Sequence, residues 1–191
     1  MRSLTYYVAA SIDGYIAGPE HQIDAFEFSP ELAAHIVERY PETLPAPARA
    51  HLGIADAANE RFDAVIMGRH TYEIGVRAGL TSPYGHLEQV VASTTLTATD
   101  PAVRVVDDPL AAVDALKAGD GLGLWLCGGG SLAAALADRI DALIIKRQPL
   151  VLGAGRPLFA GAYAPRRFEL TGREAVGAVT IETYRRAAIS R

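Results

Sequence analysis

Hydrophobic residues along the chain fall into short uninterrupted runs that alternate with segments in which they recur at helical spacing. Uninterrupted runs rich in β-branched and aromatic residues are typical of buried strands. Strands are therefore predicted over residues 4–10, 63–67, 89–92, 103–106 and 122–127. Helices are predicted over residues 31–40, 48–61, 71–78, 109–118 and 131–136. Strands that alternate with helices indicate an α/β protein with a mostly parallel sheet.

The C-terminal part of the chain follows a different pattern. Residues 168–170 and 179–184 alternate between apolar and polar, as in antiparallel strands with one solvated face. The predicted fold is therefore α/β, with a mostly parallel central sheet, antiparallel C-terminal edge strands and helices on both faces. Two segments are predicted to be irregular, residues 15–19 and the proline-rich stretch 41–47.

Composition narrows the class of protein. A chain of 191 residues, 50% of them hydrophobic, can build one domain with a substantial core, so we expect a single domain over residues 1–191. The net charge of -4 argues against binding to nucleic acid or an anionic membrane, which needs a clustered basic excess. Cys127 is the only cysteine, which excludes an intrachain disulfide. The histidines lack metal-ligand spacing, so no metal is expected. Without a targeting segment or a membrane-spanning run, we expect a cytoplasmic protein.

One predicted strand ends in a segment that is suited to binding an anion. Its apolar run stops at Gly68 and continues into Arg69-His70-Thr71. A helix that begins there offers unpaired N–H groups and the positive end of its dipole to a phosphate. Arg69 adds a permanent charge, and the Thr71 hydroxyl can donate to a second phosphate oxygen. The alternative is an ordinary strand-to-helix turn with a solvated arginine.

Three consecutive glycines follow the predicted strand over residues 122–127. Gly128, Gly129 and Gly130 remove every Cβ from the approach surface, which allows close contact with a flat ring or a pyrophosphate, and Ser131 then begins a helix. The segment is neither the G-x-G-x-x-G dinucleotide motif nor a phosphate loop that ends in Gly-Lys-Ser/Thr. The alternative is a tight turn that needs glycine for its backbone alone.

The end of the first predicted strand is followed by a carboxylate. Small residues there leave room for a planar group, and Asp13 could accept a hydrogen bond from a ring N–H or shuttle a proton. An aspartate before a glycine is also common in turns, which is the alternative for Asp13. Residues 93–95 place hydroxyls beyond another strand end, a signal that means little alone.

Taken in order, these motifs resemble those of the dihydrofolate-reductase-like superfamily, and within it the group related to the C-terminal reductase domain of bifunctional riboflavin-biosynthesis deaminase-reductases. The resemblance is carried by residues 11–17, 67–73, 91–93, 127–132 and 149–159. It implies a dihydrofolate-reductase-like fold. It also implies a reductase that passes a hydride from the nicotinamide C4 of NADPH to an electron-poor C=N or C=O of a small pterin- or pyrimidine-like substrate. A homodimer formed through the C-terminal strands is a further implication.

The resemblance implies a role for each matching residue on the cofactor side. Arg69 would hold the 2′-phosphate that distinguishes NADPH from NADH, with Ser93 helping at the adenosine end. Ala10 would touch the nicotinamide carboxamide through its backbone. The residues that would line the phosphates or the nicotinamide side are Gly68, His70, Thr71, Gly129, Gly130, Ser131 and Leu132.

The substrate side is less defined. Asp13 is the candidate catalytic residue and, with Asp24 and Phe26, a candidate substrate-binding residue. Dihydrofolate reductases proper carry a carboxylate on the first helix that faces the pterin, and Asp24, Glu27 and Glu31 are all near enough in sequence to supply it. A true dihydrofolate reductase and a non-catalytic NADPH-binding protein therefore remain alternatives to a reductase of the riboflavin group.

Overall fold

The structure, a computed structural model, describes residues 1–97 and 100–187. Its strands, in chain order, are β1 Leu4–Ala10, β2 Tyr15–Ala17, β3 Phe62–Gly68, β4 Glu88–Ala92, β5 Val103–Val106, β6 Gly123–Gly128, β7 Ile140–Arg147, β8 Arg156–Pro157, β9 Phe168–Val176 and β10 Val179–Arg186. Eight of them form one sheet in the order β5-β4-β3-β6-β1-β7-β10-β9, and β2 pairs separately with β8.

The direction of the strands confirms the predicted fold class. Neighbouring strands from β5 to β7 are parallel, whereas β10 is antiparallel to both β7 and β9. The chain builds the sheet outward from β3 to β5 and then returns to insert β6 between β3 and β1. Ligands of such sheets bind beyond the carboxyl ends of the strands, where the strand order reverses. The ends of β1, β3 and β6 are therefore the expected place for a site.

The helices are α1 Pro30–Arg39, α2 Ala46–His51, α3 Arg69–Arg77, α4 Pro109–Ala118 and α5 Gly130–Ala135, with a 3-10 helix over Pro41–Thr43. Side chains cap two of them. The Ser29 hydroxyl accepts from the Leu32 N–H of α1 at 3.3 Å, and the Asp108 carboxylate accepts from the Ala111 N–H of α4 at 3.0 Å. A proline follows each cap, where the missing N–H costs nothing. Within the described ranges no helix combines the length and apolar character needed to cross a membrane.

Apolar side chains cover both faces of the sheet. Because side chains alternate along a strand, Tyr6 and Tyr7 of β1 lie on opposite faces. Tyr6 belongs to the cluster that includes α4 and α5, and Tyr7 belongs to the cluster that includes α1. Trp125 of β6 packs beside Tyr7 and donates its Nε1–H to the Tyr7 carbonyl at 3.0 Å. The two layers hold the strand ends at fixed positions.

Two segments that the sequence predicts to be irregular contain short regular elements. Tyr15–Ala17 pairs antiparallel with Arg156–Pro157. A run of three residues is too short for alternation to reveal a strand, and its partner contains a proline. In the proline-rich stretch, Pro41 occupies the first position of the 3-10 helix, where proline is tolerated.

The helix predicted over residues 48–61 is wrong in its extent. It ends at His51, and the chain then turns at Gly53, whose φ of +72° favours glycine. The buried Arg49 guanidinium donates to main-chain carbonyls of the 3-10 helix and of the loop beyond Gly53. These bonds satisfy carbonyls of the loop, so the loop is held in place without continuing the helix. A pattern of apolar residues cannot reveal such bonds.

Candidate functional site

A cavity of about 880 Å³ opens at the carboxyl ends of the parallel strands. Its walls include the ends of β3 and β6, the first turns of α3 and α5, and parts of β2 and β8. This is the position expected from the reversal of strand order. Eight residues that the sequence indicated for cofactor binding line the cavity: Gly68, Arg69, His70, Thr71, Gly129, Gly130, Ser131 and Leu132.

The junction between β3 and α3 forms one side of the cavity. Gly68 is the N-cap residue, and α3 begins directly at Arg69. A glycine has no side chain that can accept a hydrogen bond, so the first N–H groups of α3 are left for a ligand or for water. The Arg69 side chain is 42% exposed, which keeps its guanidinium accessible from the cavity.

The junction between β6 and α5 lies against this helix start. A Cβ on Gly68 would lie 3.6 Å from the Gly128 carbonyl oxygen, and a Cβ on Gly128 would lie 3.6 Å from the Thr71 Oγ1. Gly128 has a φ of +145°, and the Gly128–Gly129 peptide bond is cis. A Cβ on Gly130 would collide with the Pro157 carbonyl oxygen. Gly128 and Gly130 therefore serve the backbone as well as the cavity surface.

A carboxylate sits among the basic side chains of α3. One Glu73 oxygen lies 3.8 Å from the Arg69 Nε, and the other lies 3.3 Å from the His70 Nδ1 and 3.8 Å from an Arg77 guanidinium nitrogen. Glu73 thus holds these side chains at the helix start and neutralises part of their charge. The Arg69 guanidinium therefore pairs with Glu73 on one side and is accessible to a second anion on the other groups that it exposes.

Two further basic residues complete this cluster. The His21 ring stacks on the His70 ring with centroids 4.3 Å apart, and Arg156 of β8 lines the same cavity. Burial, followed by the nearby His70 and Arg156, lowers the pKa of His21, so its imidazole is neutral at pH 7. With Arg69 and Arg156 on the cavity against the Glu73 carboxylate, the local charge is positive and suits a phosphate.

The remaining wall of the cavity is largely apolar. Val8, Ile16 and Met67 contribute aliphatic surface, and Tyr84 and Cys127 lie beside them. Burial raises the pKa of the Cys127 thiol to about 11, so it is protonated at neutral pH and is no thiolate nucleophile. Such a wall can hold a flat ring and exclude water from it.

Asp13 lies outside this lining and is engaged in the loop after β1. Its carboxylate accepts hydrogen bonds from the Ser11 hydroxyl at 2.6 Å, from the Gly153 N–H at 2.8 Å and from the Leu152 N–H at 3.2 Å. The Ser11 bond, aided by the two N–H groups, lowers the pKa of Asp13. These bonds tie two loops together, and a catalytic role for Asp13 stays a prediction.

The other expected residues lie around the cavity rather than in its lining. Ala10 is buried at the end of β1, where its carbonyl accepts from the Gln148 N–H at 2.8 Å. The Ser93 hydroxyl oxygen accepts hydrogen bonds from two N–H groups of its own loop. Asp24 is exposed and Phe26 half-buried, in the loop before α1.

The three carboxylates that could face a pterin, on Asp24, Glu27 and Glu31, all lie outside the cavity lining. Glu27 and Glu31 are both exposed, as is Asp24, and Glu31 occupies the first turn of α1. Their side chains are absent from the described lining of the cavity. Across the described ranges, no group of three or more His, Cys, Asp or Glu side chains could hold a metal ion.

Sequence reasoning gave no site role to several residues that line the cavity. Arg156 and Pro157 belong to the segment 149–159 that carried the family resemblance, so a signal for them was present. His21 and Tyr84 come from connecting segments without a motif, and only the folded chain brings them to the cavity.

Fold and site together define an α/β protein of dihydrofolate-reductase-like architecture with a cavity at its strand ends that is lined by arginines and glycines. The chain belongs to the family of RibD C-terminal domains, whose model matches residues 2–181. This is a reductase family, and the chain is accordingly a reductase of this family. The match confirms the resemblance to the C-terminal reductase domains of the riboflavin-pathway enzymes that the sequence motifs indicated. Among curated proteins, the uncharacterized protein YwjB of Bacillus subtilis (strain 168) is 30% identical over 193 residues, covering 97% of this chain and 99% of YwjB.

Solved structures agree with this assignment. A protein of Shewanella sp. PV-4, provisionally assigned to riboflavin biosynthesis, is 26% identical and superimposes with a TM-score of 0.69, covering 98% of this chain and 100% of its own. Acinetobacter baumannii RibD is 16% identical, with a TM-score of 0.65 over 98% of this chain and 58% of RibD. Dihydrofolate reductase from Enterococcus faecalis, solved with NADP(H) and RAB-propyl, is also 16% identical, with a TM-score of 0.66 and 97% coverage of both chains. The last two similarities concern the fold.

Proposed function

We propose that this protein uses NADPH to reduce an electron-poor C=N or C=O bond of a small pyrimidine-like substrate. Its nearest functional description is that of a 5-amino-6-(5-phosphoribosylamino)uracil reductase domain. The observation that carries the proposal is the convergence of two chain segments, residues 68–71 and 129–132, on one cavity. Each was expected on sequence grounds to contact a different part of one dinucleotide. Membership of a reductase family supplies the reaction class.

The residues at the cavity fit this cofactor. Gly128 and Gly129 add no side chain to the cavity surface, which suits close contact of their backbone with a pyrophosphate. The start of α3 supplies free N–H groups, and the excess of guanidinium groups there suits the 2′-phosphate. In the proposed complex, Arg69 binds the 2′-phosphate, and Thr71 and Ser131 donate to the other phosphates.

The bound cofactor supplies the hydride, and the protein supplies position and a dry environment. Val8, Ile16 and Leu132 hold apolar surface around the nicotinamide end and exclude water from it. Hydride transfer needs alignment of donor and acceptor carbons more than it needs a strong nucleophile. A site made of glycines, aliphatic side chains and neutral Cys127 is consistent with that requirement.

Oxidation of NADPH with defined substrates tests the proposal. Purified protein is mixed with NADPH and either 5-amino-6-(5-phosphoribosylamino)uracil or dihydrofolate, and the dihydronicotinamide absorbance is followed. We expect turnover with the uracil derivative. Turnover with dihydrofolate alone would identify a dihydrofolate reductase, and NADPH binding without any turnover would identify a binding protein.

We further propose that the protein forms a homodimer through its C-terminal strands and acts in the cytoplasm. β9 is an edge strand of the sheet, and Leu170 on it is 55% exposed. An edge with an exposed apolar residue favours pairing with a second chain. Light scattering on Leu170→Arg and wild type tests this, since the charge should convert a dimer into a monomer.

A further inference from the structure

Lys146 of β7 is a half-buried lysine beside the candidate site. Its Nζ lies 3.7 Å from the centroid of the Tyr7 ring, which stabilises a cation by its electron-rich face. Within residues 1–97 and 100–187 no carboxylate lies within 4.0 Å of this nitrogen, and no hydrogen bond engages it. Burial lowers the pKa of Lys146 to about 8, so most of it is charged at neutral pH.

Strand register places Lys146 close to the cavity. It pairs with Ala9 of β1, which in turn lies between β7 and β6. Ile144, two residues earlier on β7, belongs to the apolar layer of Tyr7, so Lys146 lies on the same face. Cys127 of β6 packs against that layer, lines the cavity, and is close enough to influence the pKa of Lys146. Lys146 is itself outside the described lining, and its ammonium lies near the lining residue Cys127.

Packing gives no reason for a charge at this position. The other lysine of the chain, Lys117, donates to the Asp141 carboxylate at 2.6 Å and to the Arg139 carbonyl at 3.0 Å. Lys146 has only an aromatic face as a partner, and the residue is not fully buried. Its ammonium donors are therefore open to a ligand that supplies an acceptor.

We propose that Lys146 is a substrate-binding residue that donates a hydrogen bond to a carbonyl or anionic oxygen of the substrate ring. This inference rests on the proposed function and specifies the polarity of its substrate pocket. A cation selects rings that present oxygen acceptors, such as the carbonyls of a 2,4-dioxopyrimidine. A carboxylate would instead select rings that present amino donors. Asp24, Glu27 and Glu31 are exposed, whereas Lys146 is half-buried near Cys127 of the cavity wall.

Two rings of the same size separate these polarities. Uracil presents carbonyl oxygens where 2,4-diaminopyrimidine presents amino groups. Binding of each ring to the full protein is measured by calorimetry, with and without NADP⁺. We expect wild type to prefer uracil, and Lys146→Met to lose about 10- to 100-fold in uracil affinity, the loss of one hydrogen bond to a charged group. Lys146→Arg, which keeps the charge, should retain part of that affinity.

Lys117→Met is the matched control and should bind both rings as wild type does. Labelling with ¹³C-formaldehyde gives a direct readout, because the chain contains only these two lysines. Uracil should shift the methyl signal of Lys146 and leave that of Lys117 unchanged. The proposal is overturned if the folded Lys146→Met variant binds uracil as wild type does, or if neither ring binds. Uracil binding that needs Lys146 in a protein without NADPH turnover would refute the proposed function and leave this inference standing.

Discussion

Replacing Arg69 by alanine is expected to weaken NADPH binding far more than NADH binding, because only NADPH carries a 2′-phosphate. A hydrogen bond to a charged group contributes about 1.5–3 kcal/mol. The Arg69 side chain is 42% exposed, and its Nε lies 3.8 Å from the Glu73 carboxylate. Water and Glu73 both weaken its attraction for a ligand. We therefore expect the lower end of that range, about 1.5 kcal/mol, or roughly tenfold in Kd.

Paired equilibrium titrations with NADPH and NADH measure this difference. Arg77→Ala is the matched control, since Arg77 lies on the same helix, also 3.8 Å from Glu73, and its side chain is 68% exposed. Arg77→Ala should change the affinity for either cofactor little. Equal losses of NADPH and NADH affinity in Arg69→Ala would refute the 2′-phosphate role. An effect of Arg77→Ala as large as that of Arg69→Ala would show that the general positive field, and no specific contact, binds the cofactor.

Three further changes test single positions. Asp13→Asn should lower kcat more than it weakens NADPH binding. Because the folded pKa of Asp13 is lowered, its stabilising effect should be present at pH 7 and be lost in thermal melts as the pH falls below the ordinary range of an aspartate and through the folded pKa. Gly130→Ala should lower the free energy of unfolding by about 1–3 kcal/mol, since its Cβ meets a main-chain carbonyl, whereas Gly129→Ala meets ordinary contacts. Trp125→Phe should cost about 1–3 kcal/mol in urea unfolding, because it leaves a buried main-chain carbonyl of β1 unpaired.

Each of these expectations has a contrary outcome. Loss of NADPH affinity with full turnover at saturation would make Asp13 a structural residue of the loop. Equal melting temperatures for the alanine variants at Gly129 and Gly130 would show that β8 yields to a side chain. Unchanged unfolding of Trp125→Phe would mean that the indole contributes by packing alone.

Much of the fold was predictable because strands and helices alternate with distinct periods. The apolar runs around Tyr6 and Val65 lie in buried central strands, where both faces are covered and no polar position interrupts the pattern. The end of α2 was not predictable, since a guanidinium on Arg49 holds the following loop by hydrogen bonds to carbonyls. Such bonds depend on the folded positions of acceptors and leave no periodic trace.

The candidate site likewise has a part that the sequence predicted and a part that it did not. The predictable part follows from contiguous motifs, because Gly68 to Thr71 and Gly129 to Leu132 each lie at one junction of strand and helix and line the cavity. Other lining residues, such as His21 and Tyr84, are isolated in the sequence, and spacing along a single chain cannot bring them together. For Asp13, spacing showed a carboxylate at the strand end but could not show that three donors already engage it.

The pairing of β2 with β8 joins an N-terminal and a C-terminal segment of the chain at the cavity wall. Tyr15 pairs with Pro157, and a Cβ on Gly155 would strike the Ala17 carbonyl oxygen, so the two segments touch along their backbones. Contacts between segments so far apart in the sequence require a long loop to close. A ligand that fills the cavity therefore binds only the completed chain and stabilises it by mass action. Under the proposed function, resistance of the purified protein to proteolysis should accordingly rise with the NADPH concentration.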